Sequence, residues 1–181
     1  MRIFISGGCK NGKSFYAQRL AKGQQAGVLY YVATMKPVDA EDDERISRHR
    51  LERDGWGFVT LEQPVDIEDV LRSSDSGGSF LLDSLTALLA NEMFSTGGEV
   101  DLTAEERIID GLSRVVMEIE NIVIVSDFIY SDAFVYDLPT ERFRKSLAEI
   151  DRAVAKICDV VVEVSYSGLV VHKGELRDAS G

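Results

Sequence analysis

The stretch Gly7-Gly8-Cys9-Lys10-Asn11-Gly12-Lys13-Ser14 constrains this chain more than any other feature, because it carries the spacing G-x-x-x-x-G-K-[ST]. It follows a short apolar run, Arg2–Ser6, that reads as a strand, and it opens a segment, Ser14–Lys22, with helical spacing. Strand, glycine-rich turn and helix in that order make a cradle for phosphate. Glycines let successive backbone N–H groups curl around one phosphate, and the helix N-terminus adds partial positive charge. Gly7, Gly8, Cys9, Lys10, Asn11 and Gly12 would form the cradle. Lys13 would bridge two phosphates of a nucleotide, and the Ser14 hydroxyl would ligate Mg²⁺. Cys9 reads as a small filler open to oxidation or alkylation, not as a nucleophile.

The rest of the chain repeats the alternation. Val28–Ala33, Ser79–Leu82, Asn121–Ser126 and Val160–Val164 are nearly continuous apolar runs, as strands covered on both faces are, which favours a parallel sheet. Helical spacing recurs over Asp39–Arg53, Val65–Arg72, Leu85–Phe94, Ala104–Ile119 and Thr140–Cys158. Val160–Tyr166 and Leu169–Lys173 flank Ser167-Gly168 and predict a terminal hairpin. The expected fold is therefore α/β: a P-loop NTPase-like three-layer arrangement with a mostly parallel central sheet and a C-terminal hairpin. The loops 73–78 and 95–98 are too short to divide domains, so one nucleotide-binding domain is expected over 1–173, with a polar tail over 174–181.

Charge narrows the function. With 20 Lys+Arg against 31 Asp+Glu the formal net charge is −11, which repels nucleic acid and anionic membranes. Phosphate must then be met by a local cluster of donors. No secretory leader, no run long enough for stable membrane insertion and no disulfide pattern from Cys9 and Cys158 point to a cytoplasmic protein.

A nucleotide-bound magnesium ion needs a carboxylate at a neighbouring strand end, and two aspartates compete: Asp83 after Phe80-Leu81-Leu82, and Asp127 after Ile122–Ser126. Pattern does not choose between them, and either would also serve as a helix cap. The segment Asp39–Arg53 is sorted by charge, acids first and bases last, as the helix dipole favours. A solvent-facing helix explains most of it. His49, however, lies one turn from both Arg45 and Arg53 on the same face. Two guanidiniums would clamp a phosphate beside the imidazole and keep the ring neutral, leaving it either a nucleophile or a surface histidine.

These pieces together resemble the bifunctional adenosylcobinamide kinase / adenosylcobinamide-phosphate guanylyltransferase family of cobalamin assembly. The resemblance runs from the loop Gly7–Ser14 through Tyr31-Val32-Ala33-Thr34, Asp39-x-Glu41, Arg45-Ile46-x-x-His49 and Arg53. It continues over Phe58-x-Thr60-x-Glu62-x-Pro64, with Phe where the family usually has Trp, and over Leu81–Thr86. It implies that His49 is guanylylated by GTP and passes GMP to adenosylcobinamide phosphate. The same site would first phosphorylate adenosylcobinamide with ATP or GTP. By position, Thr34, Arg53, Glu62 and Asp83 fall at nucleotide contacts, and Asp83 becomes the preferred magnesium-side carboxylate beside Ser14. Glu62 also has a chemical rationale, since a carboxylate can accept two hydrogen bonds from a guanine edge. His49 and Lys13 would be the catalytic residues, and the family implies a homotrimer.

The second half departs from that pattern. Where the family shows Asn-Glu-Val-Gly-x-Gly-x-Val-Pro, this chain reads Ser126-Asp127-Phe128-Ile129-Tyr130-Ser131-Asp132-Ala133-Phe134. The family's Asn-Gln pair in the last long helix is Asp151-Arg152, while Arg142-Phe143-Arg144 keeps most of an Arg-x-Phe-Arg segment. These changes fall on the acceptor side. A relative with only one of the two activities, or a GTP-binding interaction protein without turnover, is the alternative.

Overall fold

The computed structural model of the chain describes residues 1–24, 26–37, 55–94, 100–166 and 168–176. A seven-stranded sheet runs through it in the order β3-β2-β4-β5-β1-β6-β7. The strands are β1 (Arg2–Gly7), β2 (Leu29–Ala33), β3 (Val59–Glu62), β4 (Ser79–Asp83), β5 (Asn121–Asp127), β6 (Val160–Ser165) and β7 (Gly168–Lys173). All neighbouring pairs are parallel except β6 and β7, which close the expected hairpin. The helices are α1 (Lys13–Gln24), α2 (Val70–Ser73, entered through the 3-10 turn Ile67–Asp69), α3 (Leu85–Met93), α4 (Ala104–Glu118) and α5 (Leu138–Ile157).

Alternation along each strand assigns its two faces. Ile3, Ile5, Tyr31, Leu81, Val123, Val125 and Val162 pack with Ala17 and Ala21 of α1. Phe4, Tyr30, Val32, Phe80, Leu82, Ile122 and Ile124 face the other way, against α3, α4 and α5. Both faces are covered, which is why the central strands are apolar nearly without interruption. The result is the three-layer α/β arrangement that the sequence predicts.

Two elements differ from expectation. β3 is absent from the predicted strands because it is a four-residue edge strand, mostly exposed, with no apolar run to mark it. The helix predicted over Val65–Arg72 is instead the 3-10 turn and the single turn of α2, since Asp66 sits in the left-handed region, at φ 49°, immediately before the turn. The helix predicted over Asp39–Arg53 lies outside the described residues. Among the described residues no helix is long and apolar enough to cross a membrane.

Candidate functional site

The carboxyl ends of the parallel strands meet along one edge of the sheet. β1 ends at Gly7, and the chain turns through residues 8–12 into α1. Gly7 is required by contact: a Cβ there would collide with the Asn11 side chain and the Val164 carbonyl. Gly12 is required by conformation, at φ +91°. Asn11 ties the loop down, its Nδ2 donating to the Val164 carbonyl at 2.5 Å while its Oδ1 accepts from the Lys13 amide at 3.2 Å.

Lys13 begins α1 and is buried. Its ammonium donates to the Gly8 carbonyl and to Asp127 Oδ1, each at 2.8 Å. The Asp127 amide donates in turn to Thr86 Oγ1 at 3.0 Å, and the Phe128 amide to the Gly7 carbonyl at 2.9 Å. The loop is thereby bound to the end of β5 as well as β6.

Register aligns the other candidates in one row. Glu62 is opposite Ala33, Ala33 is opposite Asp83, and Asp83 is opposite Val125. Glu62 is exposed at the end of β3. The Asp83 carboxylate accepts from the Tyr31 hydroxyl at 3.0 Å. Thr34 is fully buried: its hydroxyl donates to the Ser84 carbonyl and accepts from the Ser84 amide, both at 2.7 Å. In this arrangement Thr34 acts on the site by holding the turn after Asp83. Asn91 braces the same corner, donating to the carbonyls of Thr34 and Pro64 at 2.7 and 2.9 Å. His49, Arg45 and Arg53 lie outside the described residues.

The structure thus brings together Gly7–Ser14, Asp83 and Asp127, with Thr34 and Glu62 along the same edge. Of the two competing aspartates, Asp127 holds the lysine and Asp83 holds the Tyr31 hydroxyl. The donor set suits a magnesium ion, which takes one or two carboxylates and a hydroxyl and completes its shell with water and phosphate oxygens. Among the described residues no group of three or more His, Cys, Asp or Glu side chains could enclose a metal.

Sequence reasoning missed the polar cluster on the α5 side of this edge. Tyr130 donates to Asp151 Oδ2 at 3.0 Å, and burial pushes the Asp151 carboxyl up to about 7, the Ser126 and Tyr130 hydroxyls offsetting only part of the rise. Burial likewise holds the Tyr130 hydroxyl well above its usual range, with the Asp151 charge adding to it. Next to them Arg144 donates to the Ile129 carbonyl, Glu141 and Asp132 at 2.9–3.0 Å and lies over the Tyr136 ring. The only sequence signal was the departure of these two segments from the family pattern.

The sequence matches the family model described as cobinamide kinase / cobinamide phosphate guanyltransferase over residues 3–172. It is 40% identical over 92 residues to the bifunctional adenosylcobalamin biosynthesis protein CobP of Pseudomonas aeruginosa, covering 50% of this chain and 52% of that protein. With the protein CobU of Escherichia coli, also described as bifunctional in adenosylcobalamin biosynthesis, it shares 34% over 102 residues, covering 56% and 55%. These alignments span about half the length of the curated relatives. Among solved structures, the RadB recombinase superposes with a TM-score of 0.52 at 16% identity, covering 97% of this chain and 82% of that one. A KaiC-like protein from Pyrococcus horikoshii superposes at 0.51 and 12% identity, covering 96% and 79%. At such identities the likeness concerns the fold alone, and that fold is P-loop NTPase-like.

Proposed function

As a member of the cobinamide kinase / cobinamide phosphate guanyltransferase family, this chain is, we propose, an enzyme of cobalamin assembly that phosphorylates a cobinamide alcohol and then guanylylates the product. The observation that carries the reading is the buried Lys13 ammonium, poised 2.8 Å from Asp127 in a loop whose amides open onto the strand ends. A cation held by one carboxylate is ready to exchange that partner for phosphate oxygens.

In the first step the loop amides and the start of α1 hold the β- and γ-phosphates of ATP or GTP, and Lys13 follows the charge that develops on the transferred group. The acceptor hydroxyl attacks the γ-phosphorus, the bond to the β-phosphate oxygen breaks to release the nucleoside diphosphate, and the hydroxyl proton passes to solvent water. Ser14 and Asp83 would hold a magnesium ion, which when bound neutralises phosphate charge. In the second step an imidazole nitrogen of His49 attacks the α-phosphorus of GTP and pyrophosphate leaves. The acceptor's new phosphate then displaces the imidazole and carries GMP away. Arg53 and Glu62 are assigned to the nucleotide, Glu62 to the guanine edge. One domain hosts both steps at one nucleotide site. The chain acts as a cytoplasmic homo-oligomer, a trimer by family resemblance.

The test is to incubate the protein with Mg²⁺ and α-labelled GTP and look for an acid-labile, base-stable protein adduct. Label on the native protein and none on His49→Ala is expected. Equal label on both, or none on either, removes the histidine step. Transfer of γ-label to adenosylcobinamide without any α-label transfer would reduce the activity to a kinase.

A further inference from the structure

Beside the phosphate loop, on the α5 face of the sheet, lies a cleft of about 190 Å³ that the reading above does not use. Its floor follows from strand register. Ser6 and Glu163, side by side on β1 and β6, line it immediately behind Gly7, and Ser126 extends the same row on β5 beyond the lining. Asp151 of α5 closes over that row, and Phe128, Tyr130 and Ala155 form apolar walls. The cleft therefore begins one residue from the loop that handles phosphate.

Its polar atoms are unfinished. Ser6 Oγ, Asp151 Oδ1 and the neighbouring Ser126 Oγ are inaccessible to solvent and have no hydrogen-bond partner, and Asp151 as a residue is 3% exposed. Buried polar groups are normally satisfied, so three orphans clustered at one cleft, two of them on its lining, call for a ligand with both a donor and an acceptor. Charge narrows the class. Asp151 and the Glu163–His172 pair at the rim disfavour an anion, while Arg152 disfavours a cation. A neutral group remains. The apolar walls require it to be carried on a hydrocarbon arm, and the volume admits an arm but not a whole macrocycle.

We propose that this cleft takes a primary carboxamide arm of the acceptor, whose N–H is accepted by Asp151 Oδ1 and whose carbonyl accepts from the Ser6 hydroxyl. The proposal rests on the cobinamide reading for the identity of the molecule, since that substrate class bears carboxamide arms, and on the cleft alone for the chemistry.

The test measures adenosylcobinamide binding, in the presence of a non-hydrolysable GTP analogue, to the wild-type chain, Ser6→Ala and Asp151→Leu. Each variant should weaken binding about tenfold, with protein labelling by α-labelled GTP unchanged. Ser6→Ala should leave the thermal midpoint unchanged, because it removes a hydroxyl that the fold leaves without a partner. Asp151→Leu also takes the acceptor from the Tyr130 hydroxyl and should lower it, so Ser6→Ala carries the comparison. A structural role alone would lower the midpoint and leave affinity intact. Equal corrinoid affinity in all three proteins overturns the proposal and leaves the cobinamide reading standing. Should the wild-type chain bind no corrinoid, titration with propionamide, followed at the Ala155 methyl by NMR, decides the cleft separately. A shift in the wild-type chain that is lost in Ser6→Ala keeps the carboxamide site without the cobinamide, and no shift in either overturns it.

Discussion

The phosphate loop and the α5 cleft share one edge of the sheet but are built in opposite ways. The loop is local: eight consecutive residues supply the amides, the lysine and the hydroxyl, and Asn11 secures it to the neighbouring strand. The cleft is assembled from β1, β6, β7, α5 and the segment after β5, with its decisive atoms on Ser6 and Asp151. A locally encoded cradle can keep its chemistry while a distributed pocket beside it changes. That is the division along which this chain departs from its family pattern, with the loop kept and the post-β5 and α5 positions altered.

Lys13→Ala gives the largest effect expected on the loop side. It removes the buried ammonium of the cradle, and the loss of a preorganised charge donor costs about 10²- to 10³-fold in turnover. Both γ-phosphoryl and α-guanylyl transfer should fall together, measured with γ- and α-labelled GTP under single-turnover conditions. A loss confined to one transfer would mean that the two reactions do not share the loop, and the local side of the comparison would fail.

On the cleft side the largest effect is a pH dependence. Asp151 is raised by burial from 3.8 to about 7, and Tyr130, Ser126, Asp127, Arg152 and Glu163 are the groups near enough to modulate it. The folded chain holds this proton more tightly than the unfolded chain does. Its contribution is therefore full below pH 4 and is lost as pH rises towards 7. At about 1.4 kcal/mol per pKa unit, the stability gap between Asp151→Asn and the wild-type chain should open by up to about 4 kcal/mol across that window. Urea midpoints at pH 4.5 and 7.5 read it directly. A gap that does not change with pH means that Asp151 is ionised throughout.

Arg144→Ala should follow in size. Its side chain is 9% exposed and serves Ile129, Asp132 and Glu141 together, so its loss strips three acceptors at once. Its two acid partners are 40% and 42% exposed and therefore screened, so the loss should cost about 1–2 kcal/mol, mainly through the contacts of the buried guanidinium. The exposed pair Arg114–Glu68 is the control, with Arg114→Ala expected to cost less than about 1 kcal/mol. Equal costs for the two variants would erase the distinction between a knitted α5 region and an ordinary surface.

The same contrast explains what the sequence made legible. β1, β2, β4 and β5 are buried on both faces and β6 on one, with the other half-buried, and their apolar runs mark them. The loop is a fixed spacing within that frame. β3 escaped because the Val59-Thr60-Leu61-Glu62 alternation of an exposed four-residue edge strand is too short to stand out. Strand order escaped because no local pattern states which parallel neighbour a strand will choose. Asp127 was visible as a strand-end acid, but its pairing with Lys13 spans 114 residues of chain and only the fold supplies it. Tyr130 and Asp151 read as isolated changes of residue type until α5 sets the carboxyl against the hydroxyl. Ser6 read as one polar residue closing a strand, and register across three strands gives it neighbours.

The smallest expected effect separates the helix behind the cleft from the cleft itself. Asp137 caps α5 by accepting from the Thr140 amide at 3.0 Å, and the hydrogen bonds from Thr140 lower its pKa below the ordinary carboxylate value. A depressed carboxyl contributes stability above its unfolded pKa and loses it as pH falls through the folded one. Asp137→Ala should therefore lower the thermal midpoint at pH 7, by less than Arg144→Ala does, with the deficit shrinking towards pH 3. Asp137→Asn keeps an acceptor for the Thr140 amide without a titrating charge, so it should hold most of the midpoint at both pH values. The pH trend is opposite in sign to that of Asp151, although both acids belong to α5 and its cap. If Asp137→Ala costs the same at pH 7 and pH 3, the ionised cap is not what starts α5. The helix would then be held by its packing against α3 and α4 alone, and the cleft would depend on the core rather than on its own rim.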